Sequence, residues 1–173
     1  MNKPKMMMMH PNCKGTGCSF GFELHPARVV DGQNVEGSIV LEVAHQMTVG
    51  DRTRGVAPTF DFERTVCVRL FIGDVARMLQ VFRGECEEID NGIRKVYEDH
   101  LALIELRHVI EPVQGYQMVV TSQPRGAEGA NDRFVILFSS AEALAVCEAM
   151  TGALVWMAFG DPRVCHCAEG RAE

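Results

Sequence analysis

The sequence predicts an α+β domain made of two successive units, each of four antiparallel strands and a helix (ββββα-ββββα), with the sheets packed on the two helices. Three observations predict it. Between Phe60 and Gly84 the apolar period changes. Arg64 to Phe71 reads as a strand in which Val66, Val68 and Leu70 alternate with Thr65, Cys67 and Arg69, and then Ile72, Val75, Ala76, Met78, Leu79 and Phe82 fall at helical spacing. The same strand-to-helix joint recurs near the end of the chain. There Arg133 to Phe138 is a short apolar strand and Ala141 to Met150 continues as a helix with Ser139 or Ser140 as its cap. Laid side by side, Val68-Arg69-Leu70-Phe71 meets Val135-Ile136-Leu137-Phe138, and Ala76 meets Ala143. Finally, shorter alternating segments precede each joint, giving about seven or eight strands in all.

Taken in order, residues 1–16 read as a flexible N-terminal tail, in which the run Met6 to Met9 can form a short edge strand. A single domain is expected over 17–160, with unit one about 17–84, unit two about 85–159, and a mobile C-terminal tail over 161–173. Ser19 to His25 alternates with Phe20, Phe22 and Leu24 inward, and Pro26 ends it. Asp31-Gly32 and Glu36-Gly37 are turn signals, and Ser38 to Gln46 is a second strand with Ile39, Leu41 and Val43 on its apolar face. A polar loop from Thr48 to Thr59 leads into the first joint, and Gly84 stands where a left-handed cap belongs. Asp90-Asn91-Gly92 is a hairpin turn. Strands follow at Ile93 to Tyr97, Leu101 to Ile110 and Tyr116 to Thr121, and Gln123 to Ala130 reads as a hairpin tip.

The composition fits a folded domain, with 47% hydrophobic residues. The formal charge of −6 argues mildly against a protein that coats nucleic acid. That charge is uneven: residues 1–60 hold six Lys or Arg against five acids, so an anionic ligand is more plausible there. Seven cysteines, mostly inside apolar patterns such as Cys67 and Cys147, read as reduced thiols rather than a disulfide framework. No run approaches the length of a membrane span. The expectation is a soluble intracellular protein of the cytoplasm or nucleoid, without membrane attachment.

Several motifs in sequence order resemble one family. Lys14-Gly15-Thr16-Gly17-Cys18-Ser19-Phe20 resembles a single-strand-binding Lys-Gly motif followed by small residues and an alternating strand. Phe60-Asp61-Phe62-Glu63-Arg64 looks like an aromatic-Asp-aromatic-x-Arg segment leading into the strand before the first helix. Arg83-Gly84-Glu85-Cys86-Glu87 and Ile110-Glu111-Pro112 match the acidic stretch after that helix and a strand ending in Glu-Pro. Over about residues 14–160 the chain is similar to the Whirly proteins, grouped with the kinetoplastid guide-RNA-binding proteins and the positive-cofactor-four-like coactivators. A second basic residue near the Lys-Gly motif is absent, and Thr65 stands where a Lys often follows the Arg.

The resemblance implies a binder of single-stranded DNA or RNA, assembled as a homo-oligomer, a tetramer through its helices, with nucleic acid over the outward sheet faces. On that reading Lys14, Arg52, Arg54, Arg64 and Arg69 are the phosphate ligands, and Phe60, Phe62 and Tyr116 the rings for unstacked bases. Ser19, Gln46 and Gln117 are hydrogen-bonding groups on strand ends. Each has a plain alternative. Phe60 and Phe62 suit core packing slightly better than base stacking, and Arg69 equally suits a solvated or salt-bridged position on the second sheet face. No phosphate loop, nucleophile elbow or paired metal-binding His motif is present, so no enzyme is expected. His10, Cys13 and Cys18 with Cys165, His166 and Cys167 lack the spacing of a zinc knuckle, so no metal or other cofactor is assigned. The alternative reading is an oligomeric scaffold of the same fold without nucleic-acid affinity, motivated by the acidic charge.

Overall fold

The computed structural model describes residues 4–51, 53–110, 114–125 and 131–160, and the two strand-to-helix joints set its layout. In the first, β7 (Val66–Leu70) runs into α1 (Ile72–Phe82); in the second, β11 (Asp132–Ser139) runs into α2 (Ser140–Phe159). The main strands before the first joint are β1 (Lys5–His10), β2 (Cys18–His25) and β5 (Ser38–Thr48). Those before the second are β8 (Ile93–Val96), β9 (His100–Val109) and β10 (Gly115–Pro124). Three short strands, β3 (Arg28–Val30), β4 (Gln33–Val35) and β6 (Thr59–Phe60), bring the total among the described residues to eleven, more than the sequence suggested. Each unit is nevertheless four main strands and a helix, as predicted.

The first sheet has the order β1-β2-β5-β6, with β7 also paired to β5, and the second runs β11-β10-β9-β8; the pairs are antiparallel. Alternation sends one face of each sheet inward. From the first come Phe20, Phe22, Ile39, Leu41, Val43, Val68 and Leu70, and from the second Ile104, Leu106, Met118, Val120, Phe134, Ile136 and Phe138. They meet Val75, Met78, Leu79 and Phe82 of α1 and Val146, Met150 and Met157 of α2. Both helices touch both sheets, so the core is continuous between the units.

The structure corrects the sequence reading in three places. Lys5–His10 is an ordered edge strand, because it pairs residue for residue with Glu23–Cys18 and turns Met6 and Met8 onto the core. The 3-10 turn Phe62–Arg64, capped by the Asp61 carboxylate, delays the strand before α1 until Val66. And α2 runs nine residues past Met150, because Ala153 and Met157 continue its buried face. That makes α2 long and apolar enough to cross a membrane by length and hydropathy alone, contrary to expectation. The C-terminal tail, the hairpin tip beyond Arg125 and Arg52 lie outside the described residues.

Local signals were obeyed where they were strongest. Gly84 adopts the left-handed φ of 71° after α1, and the Asp90-Asn91-Gly92 turn has φ of 56° and 63° at Asn91 and Gly92. At the other joint Ser139 caps α2. Its hydroxyl accepts from the Glu142 amide at 3.3 Å, while its own amide and hydroxyl donate to Glu142 Oε2 at 2.9 and 2.8 Å. Partial burial works against the Glu142 charge, but these bonds and the His10 imidazole, whose Nε2 lies 3.1 Å from Oε1, outweigh it and lower its pKa. A carboxylate with a depressed folded-state pKa contributes stability above the ordinary Glu range and loses it as pH falls through the depressed value. Urea midpoints measured across acid pH should therefore fall less steeply in Glu142→Gln than in the wild type. Ser139→Ala should cost about 1 kcal/mol near neutral pH.

Candidate nucleic-acid interface

With the inner faces consumed by the core, the outer faces of the two sheets are what the fold offers a ligand. On the second sheet the register places Arg94, Leu103, Thr121 and Arg133 in one row across all four strands. Its ends are roughly 14 Å apart at ordinary strand spacing. Two rows further along β9 lie Arg107, Gln117 and Leu137, with Glu105, Val119 and Val135 between. Gln117 Oε1 accepts from Arg107 Nε at 3.0 Å and Nη2 at 2.7 Å, which holds the guanidinium against the sheet. Arg94, Arg107 and Arg133 are exposed, and none makes an ion pair among the described residues. Val135 and Leu137 are exposed beside them. This face combines cations with apolar surface, the pairing that tracks a sugar–phosphate chain while accepting unstacked bases.

The outer face of the first sheet gathers three of the residues predicted from sequence. Ser19 on β2, Phe62 in the 3-10 turn and Arg69 on β7 all lie on it or over it. Phe62 is 52% exposed, and the Arg69 side chain has no ion pair among the described residues. Arg64, next to Phe62, is exposed too. This face is electrically more balanced, since Lys5 pairs with Glu42 across it. Lys14 is exposed in the β1–β2 loop, where its amide donates to Asn12 Oδ1 at 3.0 Å. The two sheets adjoin at two seams. At one, the His45 ring stacks on Phe134 at 4.1 Å between centroids; at the other, the Arg69 amide donates to the Tyr97 hydroxyl at 2.8 Å.

Four other predicted residues are committed elsewhere. Phe60 is buried, its side chain part of the interior. Tyr116 shares its parity with Met118 and Val120 and so points inward. Its hydroxyl donates to the Phe82 carbonyl at 3.1 Å and its ring packs edge-on against Phe82. Gln46 is saturated: Oε1 accepts from the Asn12 and Gly17 amides at 2.9 and 3.1 Å, and Nε2 donates to the Asn12 and Thr48 carbonyls at 3.1 and 2.9 Å. It ties the β1–β2 loop to β5 and has nothing left for a ligand. Arg54 Nε pairs with Asp51 at 3.4 Å in its own loop, where the Thr53 hydroxyl, above all, keeps the Asp51 pKa low. Among the described residues no cluster of His, Cys, Asp or Glu is placed to hold a metal. Burial pushes the Cys18 thiol up to about 11, which makes it a poor ligand.

No family model matches the chain, and no curated protein matches it. Solved structures do. WHY1 from Arabidopsis thaliana superposes with a TM-score of 0.64 at 10% identity, over 92% of this chain and 87% of its own. MRP1/MRP2 of Trypanosoma brucei gives 0.60 at 17% identity over 89% and 85%. The plant transcriptional regulator PBF-2 gives 0.55 at 13% identity over 89% and 84%. The chain has the Whirly fold.

In this Whirly-fold chain the sequence reading missed the second sheet's three arginines, although the signal was there. Leu101 to Ile110 places Arg107 opposite Leu106, and Arg133 alternates with Phe134. The role of Gln46 was not readable, because it depends on a loop thirty residues away in sequence folding over the strand. Gln46→Leu should leave four polar backbone groups without their partner and destabilise the protein by roughly 2 kcal/mol or more. Hydrogen exchange should show the Gly17 amide losing protection more than amides in β9 or β10.

Proposed function

We propose that the protein binds single-stranded DNA or RNA without catalysis, on the outward faces of its two sheets, and serves transcription, recombination or genome maintenance. The observation that carries this reading is the outer face of the second sheet. In a chain of net charge −6, three arginines that make no ion pair among the described residues share one sheet face with exposed Val135 and Leu137. Arg69, Arg64 and Lys14 extend the cations onto the first sheet and its loop, and Phe62 supplies an exposed ring. The Whirly fold adds support, as does the description of PBF-2 as a transcriptional regulator. Recognition would be mostly sequence-tolerant, since phosphates and ring faces carry little base information.

The working form is a homo-oligomer, a tetramer built through the helices. Leu144, Val155 and Phe159 stand exposed on α2, the last at 82%. Along the same side Ala141, Leu144, Ala145, Glu148 and Ala149 are exposed before Gly152, and Val155 and Phe159 after it. An antiparallel pair of α2 helices crossing at Gly152 would set Val155 and Phe159 of one copy on Ala149 and Ala145 of the other. The scaffold reading has one observation in its favour, the Lys5–Glu42 pairing that balances the first sheet's outer face.

Fluorescence anisotropy of a labelled single-stranded oligonucleotide over a series of salt concentrations tests the binding. Arg107→Ala and Arg133→Ala should each weaken binding about equally on different sequences and make the salt slope shallower by about 1. Phe62→Ala should lower affinity by about 1–3 kcal/mol with the slope unchanged. No binding even at low salt would favour the scaffold, and binding that these arginines do not influence would move the ligand off the second sheet.

A further inference from the structure

The outer face of the first sheet carries a small notch with an unsatisfied polar floor. Gly21 lies inside β2, opposite Met7 on β1 and Glu42 on β5. A Cβ there would sit 3.1 Å from Lys5 Cε and from Met7 Cγ, so the bare backbone is what lets these side chains lie across the strand. Glycine inside a strand weakens it, and its presence marks a close approach. Ser19, Gly21 and Ala44 line the notch together with Met7, Glu42, Phe62 and Thr65, and the Thr65 hydroxyl is already given to the Phe62 carbonyl at 2.9 Å. Ser19 is 1% exposed and its Oγ has no hydrogen-bond partner among the described residues. Buried hydroxyls are almost always paired, so this one has capacity for a polar atom brought from outside the chain.

The chemistry narrows the ligand. The free volume at the floor is about 10 Å³, room for one polar atom and not for a ring. A ring must therefore lie above it, against the half-exposed Phe62 and the Met7 thioether, with one edge directed at Ser19. Lys5 Nζ holds Glu42 Oε2, and Oε1 makes no hydrogen bond among the described residues. An ionised carboxylate only accepts hydrogen bonds. It pairs with an exocyclic amine and repels a carbonyl oxygen at the same place, the relation by which acidic side chains accept from the cytosine amine.

We propose that this notch is a base-selective subsite. An unpaired base bearing an exocyclic amine stacks on Phe62 and Met7, donates to Glu42 Oε1, and offers a neighbouring polar atom to Ser19. This rests on the single-strand reading above and adds to it a preference that phosphate contacts cannot supply.

Oligo(dC) and oligo(dU) of equal length differ in their bases only in the 4-amino or 4-keto group and the N3 proton. Anisotropy titrations at mildly alkaline pH, where dC tracts stay unpaired, compare them directly. The full chain should bind oligo(dC) at least about fivefold more tightly than oligo(dU). Glu42→Leu should bring the ratio close to one while both strands still bind, helped by the freed Lys5. Gly21→Ala, which crowds the notch while keeping the strand, should reduce the ratio too, with circular dichroism confirming the fold. Equal binding of the two strands by the wild type, or a ratio that survives Glu42→Leu, would overturn the subsite and leave single-strand binding standing. No binding of either strand at low salt would remove both.

Discussion

Each sheet has one apolar face that must leave water, and the same two helices cover both. That constraint organises the molecule. α1 packs on β7 and β9, and α2 on β2, β5, β10 and β11, so neither unit closes its core without the other. Burying side chains such as Leu41, Val68, Ile104 and Ile136, each about 1.5–3 kcal/mol when fully removed from water, fixes which face of every strand points in. A one-residue slip of register would turn an entire set outward. The outward residues are placed as a consequence: Arg94 and Arg133 share a row because Ile93, Ile104, Val120 and Phe134 share the neighbouring inward one.

The same constraint explains how an acidic chain can present a basic face. Net charge sums over the whole surface, but a ligand feels mainly what lies within a Debye length, about 8–10 Å. The second sheet's outer face has three arginines and Glu105, whereas on the first Lys5 and Arg69 stand against Glu42 and Glu23. The two faces thus suit different tasks. On the proposed function the second would serve as the stronger phosphate track, and the first, with Phe62 over Gly21, as the face that reads a base.

What could be read in the sequence follows from how local each signal is. The joints at Leu70 to Ile72 and at Ser139, the left-handed Gly84 and the Asn91-Gly92 turn depend on neighbours in the chain, and all were legible. The edge strand Lys5–His10 was legible only as a short strand over Met6 to Met9 within a flexible tail, because four consecutive methionines hide alternation. Met is tolerated on either face, so the inward Met6 and Met8 look like the exposed Met7 and Met9. Tyr116 looked available as an aromatic near a strand start, yet its parity with Met118 and Val120 turns it inward. Gln46 and Ser19 lie on the outer face by alternation and are buried there by the β1–β2 loop and the Phe62 turn, which only the folded chain brings over them.

The central claim is that the ligand lies on the outward sheet faces and leaves the helices to the core and to other copies of the chain. Photo-crosslinking of a single-stranded oligonucleotide carrying halogenated pyrimidines, followed by peptide mapping, tests it most directly. The account predicts crosslinks in β9, β10 and β11 and around Phe62, with none in α1 or α2. Crosslinks concentrated on Leu144, Val155 or Phe159 of α2, with the sheets unmarked, would contradict it.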